Sequence, residues 1–325
     1  MNHIRPFFFF ILILTLPFLS TSQVRMVKEL KTGWKFQKGA EESAYQINFN
    51  DKNWESVQVP HDWAIYGPFD KEIDKQTVAI LQNIEVTTSE KTGRTGALPY
   101  IGEAWYRNHL EIPQLHENQK VLILFEGAMS EAKVFINGEK AGEWGYGYSY
   151  FYFDITDKVK ANEKNTLAVH LQNRGLSSRW YPGAGLYRNV SIIIKNEESI
   201  DQWGSFITTP KISPEEAIVN IKTKVSGQNI WLRTTIFNAK GEHIAIQESK
   251  DIIENEFEQN IIVPNPKLWS PETPNLYCTK IQLYKGDELI DEIETKFGIR
   301  KLKYEAHKGF SLNGEIRKFK GVCLH

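Results

Sequence analysis

From residue 23 onward, apolar residues come in short runs broken by turn residues. No segment sustains a 3.6-residue apolar repeat over three helical turns. Val121-Leu122-Ile123-Leu124-Phe125 is a continuous apolar run of strand length, stopped by Glu126-Gly127. Lys133-Val134-Phe135-Ile136 runs into Asn137-Gly138, the pair best suited to the left-handed positions of a two-residue hairpin turn. Leu167, Val169 and Leu171 alternate with Ala168, His170 and Gln172, which predicts a half-buried strand. Residues 190–194 read as another strand, ended by polar Lys195-Asn196-Glu197-Glu198. Short strands at this spacing predict a sandwich or jelly roll.

The polar stretch 195–199 marks the first domain boundary. Beyond it, residues 218–225, 230–237 and 277–284 read as strands of a second, smaller sandwich of about 100 residues, an immunoglobulin-like size. Pro264, Pro266, Pro271 and Pro274 punctuate a connection inside it, and Phe297-Gly298 close it. Trp203, Trp231 and Trp269 fall in this domain and are expected in its core. Further on, Phe310-Ser311-Leu312 and Lys318-Phe319-Lys320 flank Asn313-Gly314, which predicts a small hairpin. Gly321-Val322-Cys323-Leu324-His325 then begins like a new strand, so the tail reads as a truncated start of a further domain.

The first 22 residues break this pattern. His3 and Arg5 precede an apolar run from Phe7 to Leu19, followed by small polar Ser20-Thr21-Ser22. A basic start, about a dozen apolar residues and a small-residue exit describe a secretory signal peptide. The run is short for a bilayer span and holds Pro17. The mature chain is expected to begin near Gln23 and to be exported, to the periplasm or beyond the cell.

Export permits disulfides, but Cys278 and Cys323 are the only two cysteines and make no framework. With no CxxC or His/Cys cluster, a structural zinc site is not expected. Lys plus Arg is 39 and Asp plus Glu is 40, a balance that argues against a nucleic-acid partner. The aromatic load is the more telling figure: 9 Trp, 13 Tyr and 18 Phe suit a β-rich fold and flat ligands such as sugar rings.

Four stretches in order carry a family resemblance. They are Val59-Pro60-His61-Asp62-Trp63 with Gly67-Pro68-Phe69, then Trp105-Tyr106-Arg107. The third is Ser178-Arg179-Trp180-Tyr181-Pro182-Gly183-Ala184-Gly185-Leu186-Tyr187-Arg188-Asn189-Val190. The fourth joins Leu268-Trp269-Ser270-Pro271, Pro274-Asn275-Leu276-Tyr277, Phe297-Gly298-Ile299-Arg300 and Lys320-Gly321-Val322. Together they resemble the family 2 glycoside hydrolases, which include β-galactosidases, β-glucuronidases and β-mannosidases. Lys91-Thr92-Gly93-Arg94-Thr95-Gly96 before Leu98-Pro99-Tyr100 is most similar to exported bacterial β-galactosidases.

The resemblance implies an all-β chain with a jelly-roll sugar-binding domain over 23–197 and an immunoglobulin-like β-sandwich over 198–298. A truncated start of a (β/α)8 barrel would occupy 299–325. Such barrels need about 250 residues, and retaining hydrolysis needs two carboxyls about 5 Å apart across the scissile bond. Both catalytic glutamates of the family sit on later barrel strands, so no residue here is assigned a catalytic role. The chain alone is expected to be inactive, as part of a retaining β-glycosidase acting on a β-linked oligosaccharide or glycoside. A non-catalytic carbohydrate-binding module and a broken gene fragment are the alternative readings. No cofactor or metal set is assigned in this portion, and a cation in the complete enzyme is left open, as is the oligomeric state.

Three substrate-binding residues follow from the resemblance: Asp62, Asn173 and, on the first barrel strand, His325. Asp accepts hydrogen bonds and Asn both donates and accepts, which suits sugar hydroxyls. Asp62 stands where some relatives carry Asn. Plainer readings remain beside these: Asp62 capping the turn before Trp63, and Asn173 shaping a turn beside Gly175. Trp180 and Tyr181 are either a stacking platform or packing residues. Arg179 and Arg188 are expected to pair with acidic neighbours. Arg94 lies in a long Gly- and Thr-rich loop, where a functional role is more plausible than in a strand.

Overall fold

The computed structural model describes residues 24–65, 70, 76–82, 85–91, 101–174 and 183–322. Among these every regular element is a strand, as the missing 3.6-residue period predicts. The first domain opens with β1 (Met26–Glu29), β2 (Trp34–Lys38) and β3 (Glu55–Val57). A ribbon of β4 (Gln76–Gln82) and β5 (Glu85–Lys91) follows. Next come β6 (Gly102–Glu111), β7 (Gln119–Phe125), β8 (Ala132–Ile136) and β9 (Glu139–Trp144). Three more strands, β10 (Phe151–Asp154), β11 (Lys164–Asn173) and β12 (Val190–Asn196), complete it.

These strands form two facing sheets, one ordered β3-β2-β6-β11-β8-β9 and the other β1-β12-β7-β10. Their inner faces close over one core that includes Trp34, Tyr106, Ile123, Phe125, Val169, Leu171 and Ile192. The β8–β9 turn is Asn137-Gly138 with φ of 50° and 85°, the left-handed pair anticipated for it.

One strand departs from expectation. β11 is buried on both faces rather than one. Its outer face is covered by the segment leading to β3: Ala44 and Trp54 pack with Trp105 and Ala168, and Tyr45 and Phe49 lie against them. Arg107 on β6 holds that segment down. Its Nε donates to Asp51 Oδ2 at 2.8 Å, and Nη1 donates to the carbonyls of Ala44 and Gln46. An alternating strand loses its exposed face when a loop brings aromatics to cover it.

The second sandwich comprises β13 (Ser199–Ile212), β14 (Glu216–Ser226), β15 (Ile230–Phe237) and β16 (His243–Ser249). It continues with β17 (Glu256–Pro264), β18 (Tyr277–Lys285) and β19 (Glu288–Phe297). The sheets are β13-β14-β17 and β16-β15-β18-β19, packed over Val219, Ile221, Leu232, Phe257, Ile281 and Leu283. Trp203 is not in this core. It is 54% exposed, because a register shift between Ile200 and Ser205 turns it outward with φ of +58°. Trp231 lies at the sheet surface, stacked on Tyr284 with centroids 4.3 Å apart.

A buried charge cluster joins the two sandwiches. Asp291 on β19 receives Arg25 Nε at 3.1 Å and Nη2 at 2.7 Å, together with the Ile200 amide at 2.7 Å. Lys195 Nζ donates to the Ile200 carbonyl from the end of β12.

The tail is a small sheet of β20 (Leu302–Glu305), β21 (Gly309–Leu312) and β22 (Glu315–Ile316). Asn313-Gly314 makes its tight turn, but the second arm pairs only at Glu315 and Ile316 rather than reaching 318–320. Asn313 ties the sheet to the preceding sandwich by donating to the Trp269 carbonyl at 3.0 Å.

Candidate functional site

At one end of the first sandwich, four segments are laced together by backbone hydrogen bonds. The His61 amide donates to the Leu186 carbonyl at 2.7 Å, and Met129 and Gly185 exchange two bonds of 2.9 Å. The Gln172 amide donates to the Ser130 carbonyl at 2.8 Å, and Ser130 Oγ returns a bond to the Gln172 carbonyl at 2.7 Å. Arg174 pairs with Glu131 beside them at 2.6 Å. The segment 183–187 therefore lies between the 59–63 loop and the 128–131 loop.

Gly185 explains why that segment reads Gly-Ala-Gly. Its φ is +96°, and a Cβ there would strike Tyr106 Oη and come within 2.7 Å of the His61 carbonyl. Only a residue without a side chain lets the strand cross so close to both. Tyr106, the centre of Trp105-Tyr106-Arg107, is fully buried, and its hydroxyl lies 2.7 Å from His61 Nδ1. Phe36 packs on both His61 and Trp63. Burial holds the His61 imidazole below its ordinary value, against the raising influence of Glu55 and Asp62. The ring is thus biased toward its neutral form.

The two carried-over polar residues meet on this scaffold. Asn173 is the last residue of β11, buried, and its Nδ2 reaches the Gly183 carbonyl at 3.4 Å. Asp62 uses Oδ1 to accept the Ala64 amide at 3.0 Å, the turn cap considered for it. Its Oδ2 lies 4.0 Å from where a Gly183 side chain would begin. Two residues far apart in sequence thus converge on one glycine. Tyr187 Oη donates to the Gly147 carbonyl at 2.8 Å, and Arg188 lies over the Tyr187 ring while reaching the Glu126 carbonyl. The expected acidic partner of Arg188 is thus replaced by a carbonyl and a ring.

His325, Arg94, Arg179, Trp180 and Tyr181 lie outside the described residues, as do the signal segment and Cys323. Among the described residues no group of three His, Cys, Asp or Glu side chains is placed to hold a metal ion. None of the described residues forms a helix long and apolar enough to cross a membrane. His61, Tyr106 and Tyr187 belong to the site's framework without having been singled out. Their presence inside the quoted motifs was the only signal.

Residues 91–179 match the glycosyl hydrolase 2 galactose-binding domain-like family, and residues 199–300 match glycosyl hydrolases family 2. The chain belongs to glycosyl hydrolase family 2. It is 32% identical over 310 residues to a β-galactosidase of Bacteroides ovatus, covering 91% of this chain and 34% of that protein. It is also 32% identical to a putative β-glucuronidase of Formosa agariphila, covering 94% of this chain and 28% of that one. Among solved structures, a β-glycosidase from Bacteroides vulgatus superposes with a TM-score of 0.79 at 30% identity, over 92% of this chain and 37% of that one. The family 2 chain described here spans about a third of the length of these relatives, and it corresponds to their N-terminal β domains.

Proposed function

We propose that this chain is the sugar-holding N-terminal portion of an exported, retaining β-glycosidase of the β-galactosidase type. One observation carries the reading: Asp62, from the 59–63 loop, and Asn173, at the end of β11, lie beside the same Gly183 backbone at the laced end of the first sandwich. An acceptor and a donor–acceptor beside one backbone segment suit the hydroxyls of a pyranose. Relatives named β-galactosidase and β-glucuronidase support a β-glycoside as substrate class.

In this reading the reacting carboxylates belong to a barrel for which residues 299–325 are the lead-in. The acid/base and the nucleophile would stand about 5 Å apart there, with a covalent glycosyl-enzyme between the two half-reactions. The present chain orients the terminal sugar; it does not break the bond. The apolar segment 7–19 supports export.

The test is hydrolysis of p-nitrophenyl β-galactoside and p-nitrophenyl β-glucuronide by the 325-residue chain and by a form extended through its downstream reading frame. The expected result is galactoside turnover by the extended form alone. Equal turnover by the short form would overturn the division of labour. Turnover of the glucuronide alone would overturn the sugar.

A further inference from the structure

Residues 144–153 read Trp-Gly-Tyr-Gly-Tyr-Ser-Tyr-Phe-Tyr-Phe, ten residues with no charge. Their alternation is inverted for a surface segment. Phe151 is buried in the core, while Tyr146 is 61% exposed, Tyr150 48% and Tyr152 40%. Tyr148 and Trp144 are exposed as well. Scattered exposed apolar residues are ordinary, but a contiguous aromatic row is not.

The row does not stop at the first domain. Trp203 of the second sandwich meets it edge-on, with its ring 5.4 Å from Tyr152 and 6.1 Å from Tyr150. Trp203 reaches that position only through the positive φ noted above. For a bulky side chain this is a true outlier, of the kind that clusters at ligand clamps. At its other end the row touches the sugar site. The Tyr187 hydroxyl donates to the Gly147 carbonyl at 2.8 Å, between Tyr146 and Tyr148 in sequence, and burial, opposed by Arg188, holds the phenol above its ordinary value.

We propose that Tyr146, Tyr148, Tyr150, Tyr152 and Trp203 form a platform for the further rings of a neutral, β-linked glycan whose terminal sugar is held at Asp62 and Asn173. This deepens the function proposed above and rests on it. The occupant follows from the absence of charge and from the continuity with the site. Flat aromatic faces take the C–H faces of pyranose rings, phenols at their rims bond hydroxyls, and an uncharged row offers nothing to an acidic polymer. The substrate class is therefore an extended neutral oligosaccharide or polysaccharide rather than a free disaccharide.

The test is native affinity electrophoresis of the full chain in gels containing soluble β-1,4-galactan, with polygalacturonate as the charged control. Wild type is expected to be retarded by galactan and unaffected by polygalacturonate. Trp203→Ala and the double variant Tyr150→Ala/Tyr152→Ala should lose the retardation several-fold, while Trp203→Tyr keeps most of it. Near-ultraviolet circular dichroism shows whether each variant is folded. Galactan should also quench wild-type tryptophan fluorescence, a signal that needs no variant.

Asp62→Ala separates this inference from the functional reading. If wild type binds methyl β-galactoside, Asp62→Ala abolishes that binding, and galactan still does not retard wild type, the sugar site stands and the platform is overturned. Equal retardation of wild type and Trp203→Ala overturns it as well. So does a wild type that sediments as a dimer and becomes monomeric on Trp203→Ala, because the row is then a contact between copies.

Discussion

The two sandwiches solve the same packing problem in opposite ways. In the second, β14, β17 and β18 alternate almost perfectly between buried and open positions, as strands with one face in a core should. In the first, β11 and β12 are buried along nearly their whole length on both faces. The difference lies in what covers the outer surface. The first domain folds the 40–54 segment over one sheet and docks the second domain's Ile200 and Asp291 against Arg25 and Lys195 near the other. A sandwich wrapped in this way carries long, cross-braced connections, and their ends converge on Gly183 and Gly185. The regular sandwich has mostly short connections, the Pro-punctuated stretch 265–276 excepted. Irregularity is where the chemistry gathers.

The comparison breaks most severely at the joint. Asp291→Ala removes the partner of a nearly buried Arg25 and leaves its guanidinium uncompensated. The expected cost is about 3–5 kcal/mol in urea unfolding, with the two domains no longer melting together. An unchanged midpoint would mean that the domains do not depend on each other.

Gly185→Ala comes next. It forces a Cβ into Tyr106 Oη and the His61 carbonyl at a positive φ. A loss of about 2 kcal/mol is expected, together with loss of sugar binding, since the 183–187 segment must move. Gly241→Ala also sits at positive φ but meets nothing nearby. It should cost about 1 kcal/mol and leave binding intact.

Asp62→Ala sharpens the contrast between a structural carboxylate and a binding one. It loses one cap to the Ala64 amide, worth about 1 kcal/mol, yet should abolish sugar binding. Asp291→Ala reverses that balance.

The smallest effect concerns pH. His61 has its folded-state value lowered by burial, so the unfolded chain takes up the proton first, near the ordinary 6.5. Its contribution is complete above that value and is lost as pH falls through the folded-state one. Wild type should therefore lose more stability than His61→Gln between roughly pH 7 and pH 5. Parallel profiles would show that the ring is already solvated.

Much of the fold was legible because its signals are local. Asn137-Gly138 and Asn313-Gly314 specify left-handed turns by themselves, and the apolar runs specify β7 and β12. The double burial of β11 was not legible, since Ala168 and His170 look outward until Trp54, from the segment before β3, and Trp105, on β6, cover that face. Trp203 misled for the converse reason: an indole reads as core, and only a bulge far from any composition signal turns it out. The chemistry of Asp62 and Asn173 suited sugar, but their convergence depends on Gly183, which neither residue's neighbourhood reveals. The tie between His61 and Tyr106 was hidden likewise, each lying in a different motif.

The most direct test of the account is saturation-transfer NMR of methyl β-D-galactoside with the 325-residue chain, wild type against Asp62→Ala and Asn173→Ala. The account predicts transfer to the sugar ring protons in wild type and its loss in both folded variants. Equal transfer in all three would place the sugar elsewhere and contradict the site.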